Sequence, residues 1–177
     1  MEYKKLKETE LFSFFHFTET GRRYGLGGLT EIHLKPGGFQ EFIDITLKVD
    51  RSDGVHEGVL YLDRDWIGSA MTVNPFGKDL AKSFVEAVTH PADKEKASKV
   101  VSTIWGLTGI KDQVIRISEN ETTEEVPIQK LSDVYTGIEK CYSLNLDKSR
   151  ILVENILDVG RNRLKIEISS VEEENQD

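Results

Sequence analysis

The spacing of apolar residues changes twice along this chain, and this change constrains the fold more than any other feature of the sequence. Between Ile43 and Val49 every second residue is Ile, Leu or Val, as in a strand with one wet face. Between residues 78 and 105 apolar residues recur at helical spacing. From residue 137 onward they alternate again. Strands grouped in runs around helices predict an α+β fold rather than an alternating α/β fold.

The first run predicts an antiparallel meander of about four strands, over residues 10–18, 29–34, 39–49 and 55–62. We expect the Phe-rich segment 10–18 to be buried on both faces, because aromatic residues favour strands. In the fourth strand, one face is expected to hold Val55, Val59 and Tyr61. Residues 19–28 contain four glycines, so we expect a loop there.

Two helices are predicted in the middle of the chain. Asn74 can cap the first helix, and Pro75 suits its first position. Pro91 stops that helix and can open the next one. Because each helix carries an apolar stripe, we expect a central αα hairpin that packs on one face of the sheet.

The second run contains about four predicted strands, over residues 113–118, 137–146, 150–159 and 163–169. Residues 150–159 are apolar without strict alternation, so the sequence allows either a strand or a helix there. We expect 119–125 to be an acidic loop and 171–177 to be a disordered tail. A chain of 177 residues suits a single domain, covering 1–177.

The net charge of −8 lies almost entirely in the last third of the chain. Residues 119–177 hold 14 acidic and 7 basic residues, whereas residues 1–118 hold 17 and 16. A net acidic domain argues against nucleic-acid binding, which needs Lys and Arg against phosphates. The single cysteine, Cys141, excludes an internal disulfide and fits the cytoplasm. The apolar runs are too short to predict a membrane span.

Arginine and glycine are concentrated between residues 21 and 28. Glycines let backbone N–H groups turn toward an anion, and arginines add charged donors. The segment has no Gly-Lys-Ser/Thr of a P-loop, and no helix is expected after it as in a dinucleotide-binding fold. The alternative is a strand connection with solvated arginines. The residues predicted to bind a phosphate or carboxylate are Arg22, Arg23, Gly25, Gly27 and Gly28.

Histidine and carboxylate side chains on neighbouring predicted strands suggest two further kinds of site. Glu31 and His33 are two residues apart, so they share a strand face and could transfer protons in catalysis. His16, His33 and His56 could meet across strands and bind a metal ion. No motif gives these histidines a diagnostic ligand spacing, and the alternative is that they are surface residues.

Together these observations favour a non-catalytic domain that binds a small ligand between sheet and helices or a protein partner on a sheet edge. The candidate partners are a small anionic ligand and a protein. The alternatives are an enzyme acting on an anionic small-molecule substrate and a metal-dependent protein. The sequence carries no cofactor-binding motif, so we expect no cofactor. Two runs of strands leave an open sheet edge, at which a homodimer could form.

Overall fold

A computed structural model describes residues 1–68, 72–106, 114–116, 125–127, 130, 133–134, 138–158 and 160–171. The strands are β1 (Thr18–Tyr24), β2 (Thr30–Lys35), β3 (Ile43–Val49), β4 (Val55–Asp63), β5 (Val114–Arg116), β6 (Glu125–Pro127), β7 (Cys141–Asn145), β8 (Ser149–Asp158) and β9 (Arg161–Ser170). The helices are α1 (Tyr3–Leu6), α2 (Glu10–Phe15), α3 (Arg64–Ile67), α4 (Pro75–Val88) and α5 (Lys94–Gly106).

Seven of these strands form one antiparallel sheet in the order β1-β2-β3-β4-β9-β8-β7. Strands β5 and β6 pair separately. The two predicted strand runs therefore join where β4 pairs with β9, for example at Leu60 and Ile166. This arrangement confirms the predicted α+β class. The edges of the large sheet are β1 and β7, and a homodimer formed at either edge stays a prediction.

The predicted αα hairpin is confirmed, and it packs on one face of the large sheet. Helix α4 contacts α5, β4 and β9, and α2 packs against α4. Asn74 caps α4 by accepting from the Phe76 N–H at 3.0 Å, and Pro75 is its first residue, as predicted. The sheet comes so close to α4 that a Cβ on Gly58 would lie 2.8 Å from a Val88 methyl carbon. The core thus lies between the helix pair and the sheet.

The predicted strand at residues 10–18 is wrong, because Glu10–Phe15 forms helix α2. Leu11 and Phe15 are buried four residues apart, whereas Phe14 is 67% exposed. That is the one-sided burial of a helix, not the two-sided burial of a central strand. The helix ends at His16, whose φ of 52° is left-handed. The first strand of the meander is instead Thr18–Tyr24.

The predicted loop at residues 19–28 is therefore only partly right, since the loop itself is confined to residues 25–29. Strand β1 is an edge strand, and six of its seven residues are exposed. Its sequence carries no apolar alternation because only one edge of it pairs with the sheet and neither face is buried.

The predicted inward face of β4 is wrong beyond its first residue. Leu60 and Leu62 are fully buried against the helices, while Tyr61 lies on the other face. The register shifts where Val49 pairs with Val55 but Lys48 pairs with Glu57. Such a bulge reverses which residues face inward, so Val55 and Leu60 both point to the core.

The ambiguous segment 150–159 is a strand, since Ser149–Asp158 pairs along its whole length with β9. The predicted strand at 163–169 is confirmed as Arg161–Ser170, and the one at 137–146 is confirmed only for Cys141–Asn145. The predicted tail lies outside the described residues apart from Val171, and the predicted acidic loop does so apart from Glu125. Among the helices that the structure describes, none is long and apolar enough to cross a membrane.

Candidate functional site

The loop between β1 and β2 and the turn between β3 and β4 lie at the same end of the sheet and border an open cavity of about 570 Å³. This follows from the meander, in which every second connection is at the same end. We call this cavity the hairpin pocket. Its lining residues are Arg22, Tyr24, Gly25, Gly27, Gly28, Leu29, Thr30, Ile32, Val49, Asp50, Arg51 and Asp53.

The floor of the hairpin pocket is apolar and continuous with the core. Ile32 and Val49 lie on the inward face of neighbouring strands and are 1% and 4% exposed. At the rim, Tyr24 ends strand β1 and is 80% exposed. The cavity therefore combines a buried apolar base with an aromatic ring that is open to solvent.

The carboxylate of Asp50 accepts hydrogen bonds from residues of its own turn. Its Oδ1 accepts from the Ser52 N–H and hydroxyl at 2.7 Å each and from the Gly54 N–H at 2.9 Å. Its Oδ2 lies 2.6 Å from Nε2 of His56. These bonds from Ser52, His56 and Gly54 hold the pKa of the Asp50 carboxyl well below its usual range. Asp50 thus serves mainly to shape the turn.

The second carboxylate of the pocket, Asp53, is also occupied. Its Oδ2 accepts from the backbone N–H of Lys4 in helix α1 at 2.9 Å. A second contact runs from the Tyr3 N–H to the Asp53 carbonyl at 2.8 Å. The turn and the N-terminal helix are therefore tied together, and the acidic groups of the pocket have internal partners.

Arg22 lines the pocket but is held by a neighbour on its own strand. Its Nε and one terminal nitrogen donate to the two carboxylate oxygens of Glu19 at 2.8 and 2.9 Å. The same bonds raise the pKa of Arg22 and lower that of Glu19. The Tyr3 hydroxyl also donates to Glu19, at 3.2 Å. Burial, followed by this carboxylate, raises the pKa of Tyr3 to about 12.

Arg51 differs from Arg22, because its guanidinium pairs with no carboxylate in the described part of the chain. It lies beside Gly28, where an added Cβ would be 3.3 Å from the Arg51 Nε. Gly27 and Gly28 have φ of 79° and 82°, a left-handed conformation that favours glycine. The glycines thus let the loop pass close to Arg51, which lines the same cavity.

The structure separates the two arginines predicted to act together. Arg22 pairs with Ile32 across the hairpin and shares its inward face, whereas Arg23 pairs with Glu31 on the opposite face. Only Arg22 lines the hairpin pocket, together with the three predicted glycines. Sequence reasoning missed Arg51. The meander itself was the signal, since it places the 25–29 loop and the 50–54 turn at one end.

Glu31 and His33 are brought together, as their spacing predicts. Nε2 of His33 lies 2.8 Å from Oε1 of Glu31, and its Nδ1 lies 3.4 Å from the Thr46 hydroxyl on β3. All three residues lie on the sheet face that points away from α4. A carboxylate on one ring nitrogen and a hydroxyl on the other orient an imidazole for proton transfer, although 3.4 Å is a long hydrogen bond.

The three histidines predicted as metal ligands do not form one cluster. His33 pairs with Glu31, His56 pairs with Asp50, and the His16 side chain lies against the turn at Gly37. Across the described ranges, no group of three or more His, Cys, Asp or Glu side chains could hold a metal ion. The described geometry therefore gives a metal site no support.

Comparison with known proteins yields no match for the chain among protein-family models, curated proteins or solved structures. The site must therefore be interpreted from its own geometry.

Proposed function

We propose that this protein is a non-catalytic binding domain that takes a small anionic ligand in the hairpin pocket. The observation that carries the proposal is the contrast between Arg51 and the acidic groups beside it. Asp50 and Asp53 have internal donors, whereas Arg51 has no carboxylate partner among the described residues. A guanidinium with free donors is suited to two parallel hydrogen bonds with a carboxylate or phosphate.

Arg51 is exposed, so its bonds to a ligand compete with water. Hydrogen bonds to charged groups contribute about 1.5–3 kcal/mol each, and exposure places Arg51 at the low end of that range. We therefore expect simple anions to bind with dissociation constants on the order of 1 mM. The single cysteine supports the cytoplasm as the proposed location.

A thermal-unfolding panel with phosphate, sulfate and small carboxylates tests this function. A ligand at about 100 times its dissociation constant adds roughly 2.7 kcal/mol to stability, which corresponds to a Tm increase of about 5 °C or more in a chain of this size. The Arg51→Gln variant should lose this increase. The matched control is Arg23→Gln, which removes an exposed arginine from the other face of β1 and should retain it.

Equal Tm increases in the wild type and Arg51→Gln would show that the anion binds elsewhere or acts as a general stabilising salt. That result would overturn the proposal. A loss in both variants would point to overall charge rather than to the pocket, and would overturn it as well.

A second candidate function is an enzyme that acts on an anionic small-molecule substrate at the outer face of the sheet. The contacts of His33 with Glu31 and Thr46 favour it, because they orient the ring for proton transfer. Turnover of carboxylic and phosphoric esters should then be lost in His33→Gln and kept in His56→Gln. Absence of turnover by the wild type, or turnover retained in His33→Gln, would contradict this candidate.

A further inference from the structure

The hairpin pocket is much larger than a simple anion requires. Its volume of about 570 Å³ lies within the range of roughly 300–1,000 Å³ that is typical of small-molecule sites. A water molecule takes about 30 Å³ in the liquid, so an inorganic anion would fill only a small part. The exposed ring of Tyr24 borders the remaining space.

We propose that the ligand carries a planar apolar group together with a single negative charge, as in an aromatic sulfonate, carboxylate or phosphate monoester in its monoanionic form. This inference rests on the proposed function, since it uses Arg51 as the anchor for the charge. It adds Tyr24 as the residue that recognises the apolar part of the ligand.

Tyr24 has the exposure and position that a stacking residue needs. Its side chain is 80% exposed at the end of an edge strand, although it lies on the inward side of β1. Within the described residues, its ring stacks on no other aromatic ring. An exposed aromatic ring that borders the same cavity as a cation is an arrangement found at binding sites.

The floor beneath Tyr24 offers a ligand little apolar surface. Ile32 and Val49 close the bottom of the pocket from adjacent strands, but they are only 1% and 4% exposed. The apolar contact of a ligand must therefore come mainly from Tyr24, while its charge pairs with Arg51, which lies against Gly28 and borders the same pocket. Ring and cation are therefore both available to a single molecule.

The charges around the pocket favour a ligand with one negative charge over a ligand with two. Arg22 is neutralised by Glu19, so Arg51 is the remaining cation among the described lining residues. Asp50 and Asp53 are held by internal donors but still bring negative charge to the same turn. A second charge on the ligand would meet these carboxylates and gain no further cation.

Calorimetric titration with three probes tests the inference: naphthalene-1-sulfonate, methanesulfonate and naphthalene-1-methanol. The wild type should bind the aromatic sulfonate about tenfold more tightly than either of the other two, because only that probe uses both halves of the pocket. In Tyr24→Ala, the affinity for the aromatic sulfonate should fall to that for methanesulfonate, and the affinity for methanesulfonate should not change. Tyr24→Phe keeps the ring and should behave like the wild type. Naphthalene-1,5-disulfonate should bind no more tightly than the monosulfonate.

The outcomes separate the two proposals. If methanesulfonate binds through Arg51 and the naphthalene group adds nothing, the aromatic inference is wrong and the anion site stands. If the aromatic sulfonate binds equally well to the wild type, Tyr24→Ala and Arg51→Gln, it binds elsewhere and the inference is overturned. If neither sulfonate binds the wild type, the proposed function fails and the inference fails with it. Because Tyr24 and Arg51 are exposed, their substitution leaves the core intact.

Discussion

The carboxylate of Asp93 accepts a hydrogen bond from the backbone N–H of Lys148 at 2.8 Å, across 55 residues of sequence. Asp93 lies between α4 and α5 and is fully buried, and Lys148 lies in the turn between β7 and β8. Beside it, the His90 N–H donates to the Ser149 hydroxyl at 3.1 Å. These contacts tie the turn of the helix pair to the second run of strands.

The Asp93→Ala variant should therefore lose about 1.5–3 kcal/mol of unfolding free energy, because it removes the charged acceptor of a partly buried hydrogen bond from the Lys148 N–H. Urea unfolding measures the loss. The control is Glu95→Ala two residues later, which removes an exposed pair with Lys99 and should leave the urea midpoint nearly unchanged, because exposed ion pairs contribute little to stability. Equal losses in both variants would show that the bond from Lys148 contributes little.

Gly58 should be intolerant of even one added methyl group. A Cβ there would lie 2.8 Å from Val88, 3.2 Å from Leu47 and 3.3 Å from Phe84. We expect Gly58→Ala to destabilise the fold by about 1–3 kcal/mol through overpacking between sheet and helix. Gly38→Ala is the control, since a Cβ at Gly38 would meet nothing within 4 Å. An unchanged urea midpoint for Gly58→Ala would mean that α4 does not pack this closely on β4.

Asp50 should make stability depend on pH in acid. Its pKa in the folded protein lies below the ordinary value of about 3.9 expected in the unfolded chain, so the folded state binds fewer protons. The stabilisation is then present above about pH 4 and is lost as the pH falls toward the folded pKa. Urea midpoints at pH 7 and pH 3 should differ less for Asp50→Asn than for the wild type. Equal differences would contradict the role of Asp50 in the turn.

Alanine substitutions at Gly27 and Gly28 distinguish the effect of backbone strain from the effect of contact with Arg51. Gly27→Ala and Gly28→Ala should each cost about 1 kcal/mol of stability, because both have positive φ. Only the Cβ added at Gly28 would press on Arg51, since a Cβ at Gly27 meets nothing within 4 Å. Phosphate affinity, measured by calorimetry, should fall in Gly28→Ala and stay near that of the wild type in Gly27→Ala. A similar loss in both would attribute the effect to the loop conformation instead.

Sequence patterns predicted the fold well where one face of an element is buried. The alternation from Ile43 to Val49 and the cap and stripe of α4 both appear in the structure. The apolar pattern did not predict the inward face correctly where buried residues do not alternate regularly along the strand. The bulge at the start of β4 reversed the inward face, so Leu60 and Leu62 replaced Val59 and Tyr61. The edge strand β1 has neither face buried and so carries no apolar pattern.

The Phe-rich segment shows a different kind of error. Its aromatic density favours a strand, although the spacing of Leu11 and Phe15 is helical. Local spacing was thus more informative than residue type, which is a weak guide when tertiary packing decides.

The candidate site was predictable only in part. The glycines and Arg22 line one pocket, and Glu31 does meet His33. Arg51 is 29 positions after Arg22 in sequence, and its position depends on how strands β1 to β4 pair. Whether an arginine has a partner is decided by side-chain contacts such as that between Arg22 and Glu19, which spacing alone does not reveal.

A titration of the ¹⁵N-labelled protein with inorganic phosphate, followed by NMR, tests the anion site most directly. Shifts should saturate and concentrate at the amides of Gly25, Gly27, Gly28 and Arg51, and at the Arg51 side-chain Nε–H. They should disappear in Arg51→Gln and persist in Arg23→Gln. Shifts that are spread over the surface, fail to saturate, or persist unchanged in Arg51→Gln would contradict an anion site in the hairpin pocket.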